Sequence, residues 1–175
     1  MQSNWEMACA MARQSKADFE TFDVLRGNQD VPPCHAFHFL QMACEKLCKS
    51  RLWATTNPPE SIEKSHRFVK SHLPRILKNT LKNQSLASND LIKLMNKGYL
   101  QDISGHIERL NPAVERTTFP ENCEYPWIDG ATGKTISPLD HVFQVDRALR
   151  NVNFGLPFIK ALQASISDAV ETYCR

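Results

Sequence analysis

Residues 34–53 read CHAFHFLQMACEKLCKSRLW, and we infer that the rest of the chain folds around this stretch. It contains neither Gly nor Pro and directly follows a Pro-Pro pair. On a helical wheel its apolar side chains form one broad arc, and its polar side chains occupy the opposite side. The arc holds Ala36, Phe37, Leu40, Ala43, Cys44, Leu47 and Cys48, and the polar side holds His38, Gln41, Glu45 and Lys49. Because Phe39, Met42 and Trp53 lie off the arc, the pattern predicts a central bundle helix that buries more than one face.

The same helical periodicity recurs on both sides of this stretch. It predicts a first helix from Trp5 to Leu25, and a Pro-rich break at residues 55–59 separates the central helix from the next one. Further helices are predicted at about Ser61–Lys82, Ser88–Leu110 with a break at Gly98, Ser137–Arg150 and Leu156–Tyr173. The sequence therefore predicts an all-α, up-and-down helical bundle of five to six helices, in a single domain that spans residues 1–175.

Residues 117–137 interrupt the helical pattern with recurring Pro and Gly. Asp129-Gly130 is a dipeptide that turns hairpins, and Ile128 and Ile136 flank it. We therefore predict one long irregular loop or small hairpin here, with Tyr125 and Trp127 as aromatic anchors. Loops of this length in compact domains usually carry a function or an interface.

Composition limits the classes of protein to consider. The formal net charge is +2, so any attraction to nucleic acid would have to come from local patches. No apolar run is long enough for a signal peptide or a membrane span. The six cysteines form no CxxC pair and lie beside apolar residues, which predicts buried free thiols and a cytoplasmic protein. We expect no cofactor, no metal site and no membrane partner.

The predicted third helix has two chemically distinct faces. Val69, Leu73, Ile76, Leu77 and Leu81 share one face, and Lys64, Arg67, Arg75, Lys78 and Lys82 cluster on the other. No acidic residue occurs between Lys64 and Asn89. An ordinary solvated helix face is the commoner explanation of such a pattern, and the absence of acids supports the alternative, which is contact with phosphate groups. Pro74 is expected to kink or restart the helix because it lacks an N–H group.

The order of parts resembles that of the HEPN domains, small helical bundles of prokaryotic toxin–antitoxin and defence systems and of some eukaryotic proteins. A first helix that ends in ADFETFDVL is followed by a loop and by the helix HAFHFLQMACEKLCKSRL, and a third helix opens near Ser65-His66. The run from Gln41 to Lys49 is similar to the family's xQxAxEKxxKA second helix. The resemblance implies a bundle that is usually a homodimer. It also implies RNA cleavage, nucleotide binding or support of a partner nucleotidyltransferase or antitoxin.

The resemblance also directs attention to a ribonuclease motif, which consists of an Arg, a polar residue and a His four to six positions later, near the start of a late helix. Arg150-Asn151 has the right opening and place, but Gly155, Leu156 and Pro157 stand where the His should fall. Arg67 and His72 have the allowed spacing but lie in the third helix. The resemblance therefore implies candidate catalytic residues Arg67, His72, Arg150 and Asn151, with the family motif incomplete.

Other residues are candidate ligand contacts. Arg75 and Lys78 could contact an anionic ligand together with Arg67 and His72. His38 and Glu45 share a helix face with Gln41 and could meet His66 or His72, either as a ligand or metal site or as a hydrogen-bonded network.

Three functional hypotheses follow. The leading one is a HEPN-like protein that binds nucleotide or RNA. The alternatives are a non-catalytic protein-interaction module or scaffold and an active metal-independent ribonuclease toxin that uses Arg67 and His72.

Overall fold

The computed structural model describes residues 2–83, 94, 98–114, 117–151 and 153–175. Within them the chain is mostly helical, which confirms the predicted all-α bundle. The helices are α1 (Gln2–Arg26), α2 (Pro33–Trp53), α3 (Val69–Asn83), α4 (Tyr99–Arg109), α5 (Gln144–Leu149) and α6 (Gly155–Tyr173). Two short strands, β1 (Trp127–Ile128) and β2 (Thr135–Ile136), form an antiparallel hairpin.

Helix α2 is the centre of the bundle. It begins at Pro33, a residue whose fixed φ suits the first helical position. It packs against α1, α3, α4 and α6, so more than one of its faces is buried, as predicted. The apolar arc lies in the core, with Leu40, Ala43 and Leu47 fully buried. The side predicted to be polar and exposed is also largely buried, since Gln41, Glu45 and Lys49 are each less than 7% exposed.

Helix α3 is shorter than the predicted Ser61–Lys82 helix, which was wrong at its N-terminal end. Residues 60–64 form turns and residues 65–68 are irregular, and the helix begins only at Val69. The preceding segment is held by tertiary contacts: Ile62 is buried in the core, and the carbonyl of Glu63 accepts a hydrogen bond from Lys49 Nζ at 3.3 Å. Lys64 and Arg67 therefore do not lie on the helix face with Arg75 and Lys78.

Pro74 lies inside α3 without ending it. A proline at this position cannot donate to the carbonyl of Lys70, four residues earlier. The side-chain amide of Gln101 on α4 donates to that carbonyl instead, at 3.0 Å. The neighbouring helix thus satisfies the acceptor that Pro74 leaves free, and the predicted face of Val69, Leu73 and Leu77 is fully buried.

The C-terminal half matches the prediction in part. Gly98 caps α4 with a positive φ of 71°, at the predicted break, and residues 84–93 and 95–97 of that prediction lie outside the described residues. The hairpin forms with Trp127 opposite Ile136 and Ile128 opposite Thr135. Its loop runs from Asp129 to Lys134, so it contains the predicted Asp129-Gly130, and it also uses Gly133 at φ 66°.

The helix predicted at Ser137–Arg150 was also wrong at its start, because α5 begins only at Gln144. Residues 138–140 form a turn. Beyond it, the His141 ring lies between Trp127 and Phe143, with centroid distances of 4.9 Å to each. Burial of Phe143 in the core fixes this segment in a non-helical path, which overrides the favourable Ser-Pro helix start.

The expectation of six free cysteines was wrong for two of them. Cys9 on α1 and Cys174, just after α6, form a disulfide with Cα atoms 5.0 Å apart. The packing of α1 against α6 brings these residues together across 165 positions of sequence, a pairing that cysteine spacing does not reveal. Cys34, Cys44, Cys48 and Cys123 are free and buried, as predicted.

The Cys9–Cys174 bridge is expected to stabilise the protein strongly because it closes a loop of nearly the whole chain. Replacing Cys9 by Ser should lower the free energy of unfolding by about 2–5 kcal/mol, measured by urea unfolding of the oxidised protein. Reduction of the unaltered protein should cause the same loss and should leave the variant unchanged. Equal stability of oxidised and reduced protein would contradict the prediction.

Candidate functional site

A buried polar cluster lies where α2 meets the segment before α3 and the end of α4. Its centre is the carboxylate of Glu45, which is 5% exposed. Lys49 Nζ contacts Glu45 Oε1 at 2.8 Å, and Gln41 Nε2 donates to Oε2 at 2.8 Å. His66 Nδ1 lies 3.0 and 3.1 Å from the two oxygens, and Asn111 Nδ2 donates to Oε2 at 3.4 Å. Four side chains from three parts of the chain therefore converge on one carboxylate.

The donors around Glu45 keep it ionised. Burial by itself would raise the pKa of Glu45, but hydrogen bonds from Lys49 and His66 outweigh it, and the pKa lies below its usual value. An ionised carboxylate accepts only, so Nδ1 of His66 carries the proton. The approach of Asn111 Nδ2 to the same Nδ1, at 3.1 Å, is therefore a contact between two donors, and Asn111 donates to Glu45 instead.

His66 is the part of this cluster that reaches the surface. Its side chain is 37% exposed, whereas that of Glu45 is 7% exposed. None of the described residues hydrogen-bonds its Nε2, which leaves this atom to accept or donate a proton. A buried carboxylate that orients a partly exposed imidazole is an arrangement suited to proton transfer.

Six cations accompany His66 between residues 64 and 82. They are Lys64, Arg67, Lys70, Arg75, Lys78 and Lys82. Apart from Lys78, which is half-buried, all are exposed, and none forms an ion pair with a carboxylate among the described residues. On α3, Arg75, Lys78 and Lys82 follow one another at spacings of three and four residues, so they share one face. We call these six residues, which are grouped by sequence, the cationic surface; Lys64, Arg67 and Lys70 lie outside the helix face that the other three share.

Arg67 and His72, the candidate ribonuclease pair, lie in different local structures. Arg67 is exposed in the irregular segment before α3, and its backbone N–H donates to Ser65 Oγ at 3.3 Å. His72 is half-buried in the first turns of α3, with its ring 5.9 Å from that of Phe68. Burial lowers the pKa of His72, and the Arg75 charge lowers it further, so His72 is neutral at neutral pH.

Arg150 and Asn151, the second candidate pair, form the turn between α5 and α6. Arg150 Nε donates to both carboxylate oxygens of Asp146, at 2.9 and 2.8 Å, and its side chain is 75% exposed. The Asn151 side chain accepts a hydrogen bond from the backbone N–H of Asn153 at 3.0 Å. The two residues therefore have local partners, and the site they would form opens to solvent.

The remaining candidates separate into two places. Gln41 and Glu45 meet His66 in the polar cluster, whereas His38 Nδ1 pairs with Glu124 Oε1 at 3.5 Å and so joins α2 to the irregular insertion. Within the part of the chain that the structure describes, no group of three or more His, Cys, Asp or Glu side chains could hold a metal ion. Burial raises the pKa of Cys44 and Cys48 strongly, so these thiols stay protonated and inert.

Sequence reasoning missed Asn111 as a member of the cluster. Its signal is weak, because an Asn before a Pro is an ordinary end of a helix. Only the chain path shows that Asn111 lies beside Glu45, 66 positions away in sequence. Asn111 is fixed there by its own Oδ1, which accepts from the backbone N–H of Ala113 at 2.8 Å.

Comparison with known proteins adds no identity. Among the described residues, no helix has the length and apolar character that crossing a bilayer requires. No protein-family model matches the chain, and neither does any curated protein or solved structure. The resemblance to HEPN domains, and the homodimer, RNA and partner expectations that come with it, therefore stay predictions.

Proposed function

We propose that this protein binds RNA by contacting its phosphate groups with the cationic surface around His66. The observation that carries the proposal is a group of six cations, close in sequence, that have no carboxylate partner among the described residues. Elsewhere, Arg26, Lys46, Lys49, Arg51 and Arg150 each contact an acidic side chain within 3 Å. Unpaired cations are available to a polyanion at no cost of breaking an existing ion pair.

The fold supports a fixed presentation of these cations. Glu45 holds His66, and Glu108 Oε2 accepts from the backbone N–H of Lys70 at 2.9 Å, at the start of α3. The irregular segment and the helix are thereby tied to α2 and α4. Phosphate contacts made from such a scaffold position an RNA chain without reading its sequence.

The proposal predicts salt-sensitive RNA binding. The triple variant Arg67→Ala, Arg75→Ala and Lys78→Ala should weaken binding of a single-stranded RNA oligonucleotide. It should also reduce the slope of log K against log salt concentration by about 2, near 0.7 per lost phosphate contact. Fluorescence anisotropy across a salt series measures both quantities.

A matched control removes the same charge elsewhere. Lys134→Ala, Arg147→Ala and Lys160→Ala replace three exposed cations outside the cationic surface. This control should keep the salt slope of the unaltered protein. A salt slope that falls equally in both triple variants would mean that only net charge matters and would refute a localised site.

An active ribonuclease is a second candidate, and the neutral His72 and the oriented His66 favour it. Incubation of mixed RNA without metal compares the unaltered protein with Arg67→Ala/His72→Ala, His66→Ala and Arg150→Ala. Loss of cleavage only in the double variant would assign the chemistry to Arg67 and His72, and loss in His66→Ala would assign proton transfer to the polar cluster. If the RNA stays intact with the unaltered protein and with every variant, the protein binds RNA without cleaving it.

A protein-interaction module is the third candidate, because the irregular insertion and the segment between it and α5 expose large apolar side chains. They are Phe119, Tyr125, Ile128, Leu139 and Val142. An apolar partner interface tolerates salt, whereas phosphate contacts weaken as salt rises. Capture that persists at high salt and is lost in Tyr125→Ser/Ile128→Ser would favour this candidate over RNA binding.

A further inference from the structure

A cavity lies away from the cationic surface. It has a volume of about 460 Å³ and opens between the end of α1, the loop after it, the first turn of α2 and α5. This volume falls in the range of small-molecule sites. The floor is apolar and consists of Phe22, Leu25, Val31, Ala36, Phe37 and Leu149.

Two arginines stand at the rim of this cavity, and each is oriented by a carboxylate. Arg150 Nε donates to both oxygens of Asp146, at 2.9 and 2.8 Å. Arg26 contacts Asp23 Oδ1 through Nε at 2.8 Å and through Nη2 at 2.7 Å, and its guanidinium lies 5.4 Å from the centroid of the Phe22 ring. Both Nη groups of Arg150 and Nη1 of Arg26 remain without a partner among the described residues.

The hydrogen-bond donors at the rim favour an anion. Arg26, Asp146 and Arg150 are the ionisable lining residues, and Asp23 pairs with Arg26, so each guanidinium lies beside one carboxylate and still has N–H groups free for a ligand. Oriented guanidinium groups with free N–H donors match carboxylate, sulfonate and phosphate oxygens, and holding them in place beforehand reduces the entropy lost on binding. The apolar floor has no such hydrogen-bond donor, so it favours contact with an apolar group of the ligand.

We propose that this cavity binds a small amphipathic anion, a molecule whose apolar body covers the partly exposed Leu25, Val31 and Leu149 and whose anionic head contacts Arg26 and Arg150. The proposal is independent of RNA binding, because the cavity and the cationic surface share no residue. The apolar floor and the two arginines are both needed for binding. The floor contributes affinity for the apolar body of the ligand, and the arginines confer selectivity for its anionic head.

The probe is 8-anilinonaphthalene-1-sulfonate, an aromatic sulfonate that fluoresces when its rings leave water. Titration into the folded full chain should show saturable binding. Arg26→Gln/Arg150→Gln should weaken it about tenfold or more, because two charge-assisted contacts are lost. Arg13→Gln/Arg147→Gln removes the same charge from exposed positions outside the cavity lining and should leave the affinity within about twofold.

A second variant tests the apolar half of the site. Val31 is a half-buried loop residue of the lining, and Val31→Trp should fill the cavity and abolish probe binding while thermal unfolding stays cooperative. In competition experiments, decanoate and decyl phosphate should displace the probe. The concentrations at which they do so show whether the site prefers a carboxylate or a phosphate head group. Decanol of equal chain length should displace it at least tenfold less well. Probe binding that is unchanged in both Arg26→Gln/Arg150→Gln and Val31→Trp would overturn the proposal.

Discussion

Replacing Glu45 by Ala is expected to lower the free energy of unfolding by about 3–5 kcal/mol, the typical cost of breaking a buried ion pair. The variant leaves the ammonium group of Lys49 buried, and among the described residues its remaining partner is the carbonyl of Glu63, at 3.3 Å. It also removes the acceptor shared by Gln41, His66 and Asn111. Urea unfolding followed by circular dichroism measures the change.

Two comparisons separate charge from packing at this position. Glu45→Leu/Lys49→Met removes both charges and keeps the volume, so it should recover most of the loss. Glu20→Ala breaks an exposed pair with Lys16, 3.7 Å apart, and should change stability by no more than about 0.5 kcal/mol. If Glu45→Ala is as mild as Glu20→Ala, the cluster does not contribute as the structure indicates.

Acid should act through the same carboxylate. The pKa of Glu45 lies below its usual value near 4.5 in the folded protein, so the unfolded chain takes up this proton first as the pH falls. The contribution of Glu45 to the free energy of unfolding is therefore fully present above about pH 4.5. It is lost as the pH falls through the pKa that Glu45 has in the folded protein. The free energy of unfolding, measured from neutral pH downward, should fall less steeply with pH for Glu45→Gln than for the unaltered protein. Equal slopes would contradict this assignment.

Gly155→Ala is expected to have an effect of similar or greater size, more than about 4 kcal/mol or loss of the folded state. A Cβ at this position would lie 1.7 Å from the carbonyl oxygen of Leu149 and 2.6 Å from its carbonyl carbon. Those are backbone atoms at the end of α5, so they cannot move aside as a side chain would. Either α5 or the start of α6 must shift, and both are packed on the core.

Gly105 provides the matched control for this substitution. It lies inside α4, and a Cβ there would meet only the Lys70 side chain, at 3.8 Å or more. Gly105→Ala should therefore raise the free energy of unfolding by about 0.5–1 kcal/mol, because Ala favours the helix and restricts the unfolded chain. The midpoint temperature of thermal unfolding should fall for Gly155→Ala and rise for Gly105→Ala. A rise in both variants would contradict the close approach at Gly155.

Gly155 and Glu45 each support one of the proposed sites. Gly155 allows α5 and α6 to approach closely, and Asp146 on α5 and Arg150 just after it lie at the rim of the cavity. Glu45 orients His66 beside the cationic surface.

Local periodicity predicted the elements that the core needs. The apolar arc of α2, the buried face of α3 and the inner face of α6 were all evident, because each depends only on residues three and four positions apart. Predictions failed where a distant contact overrides the local preference. Burial of Ile62 and Phe143 keeps residues 60–68 and 137–143 out of helices that their own sequences favour.

By itself, the sequence determined an all-α bundle centred on residues 34–53 and a cationic segment without acids. Tertiary structure alone decided that Gln41, Glu45 and Lys49 are buried, that Cys9 meets Cys174, and that two arginines border one apolar cavity. The physical reason is that a buried charged or amide side chain needs hydrogen-bond partners, and a disulfide needs a second cysteine. Some of these partners are distant in sequence, where no local pattern reports them: His66 and Asn111 lie 21 and 66 positions from Glu45, and Cys174 lies 165 positions from Cys9.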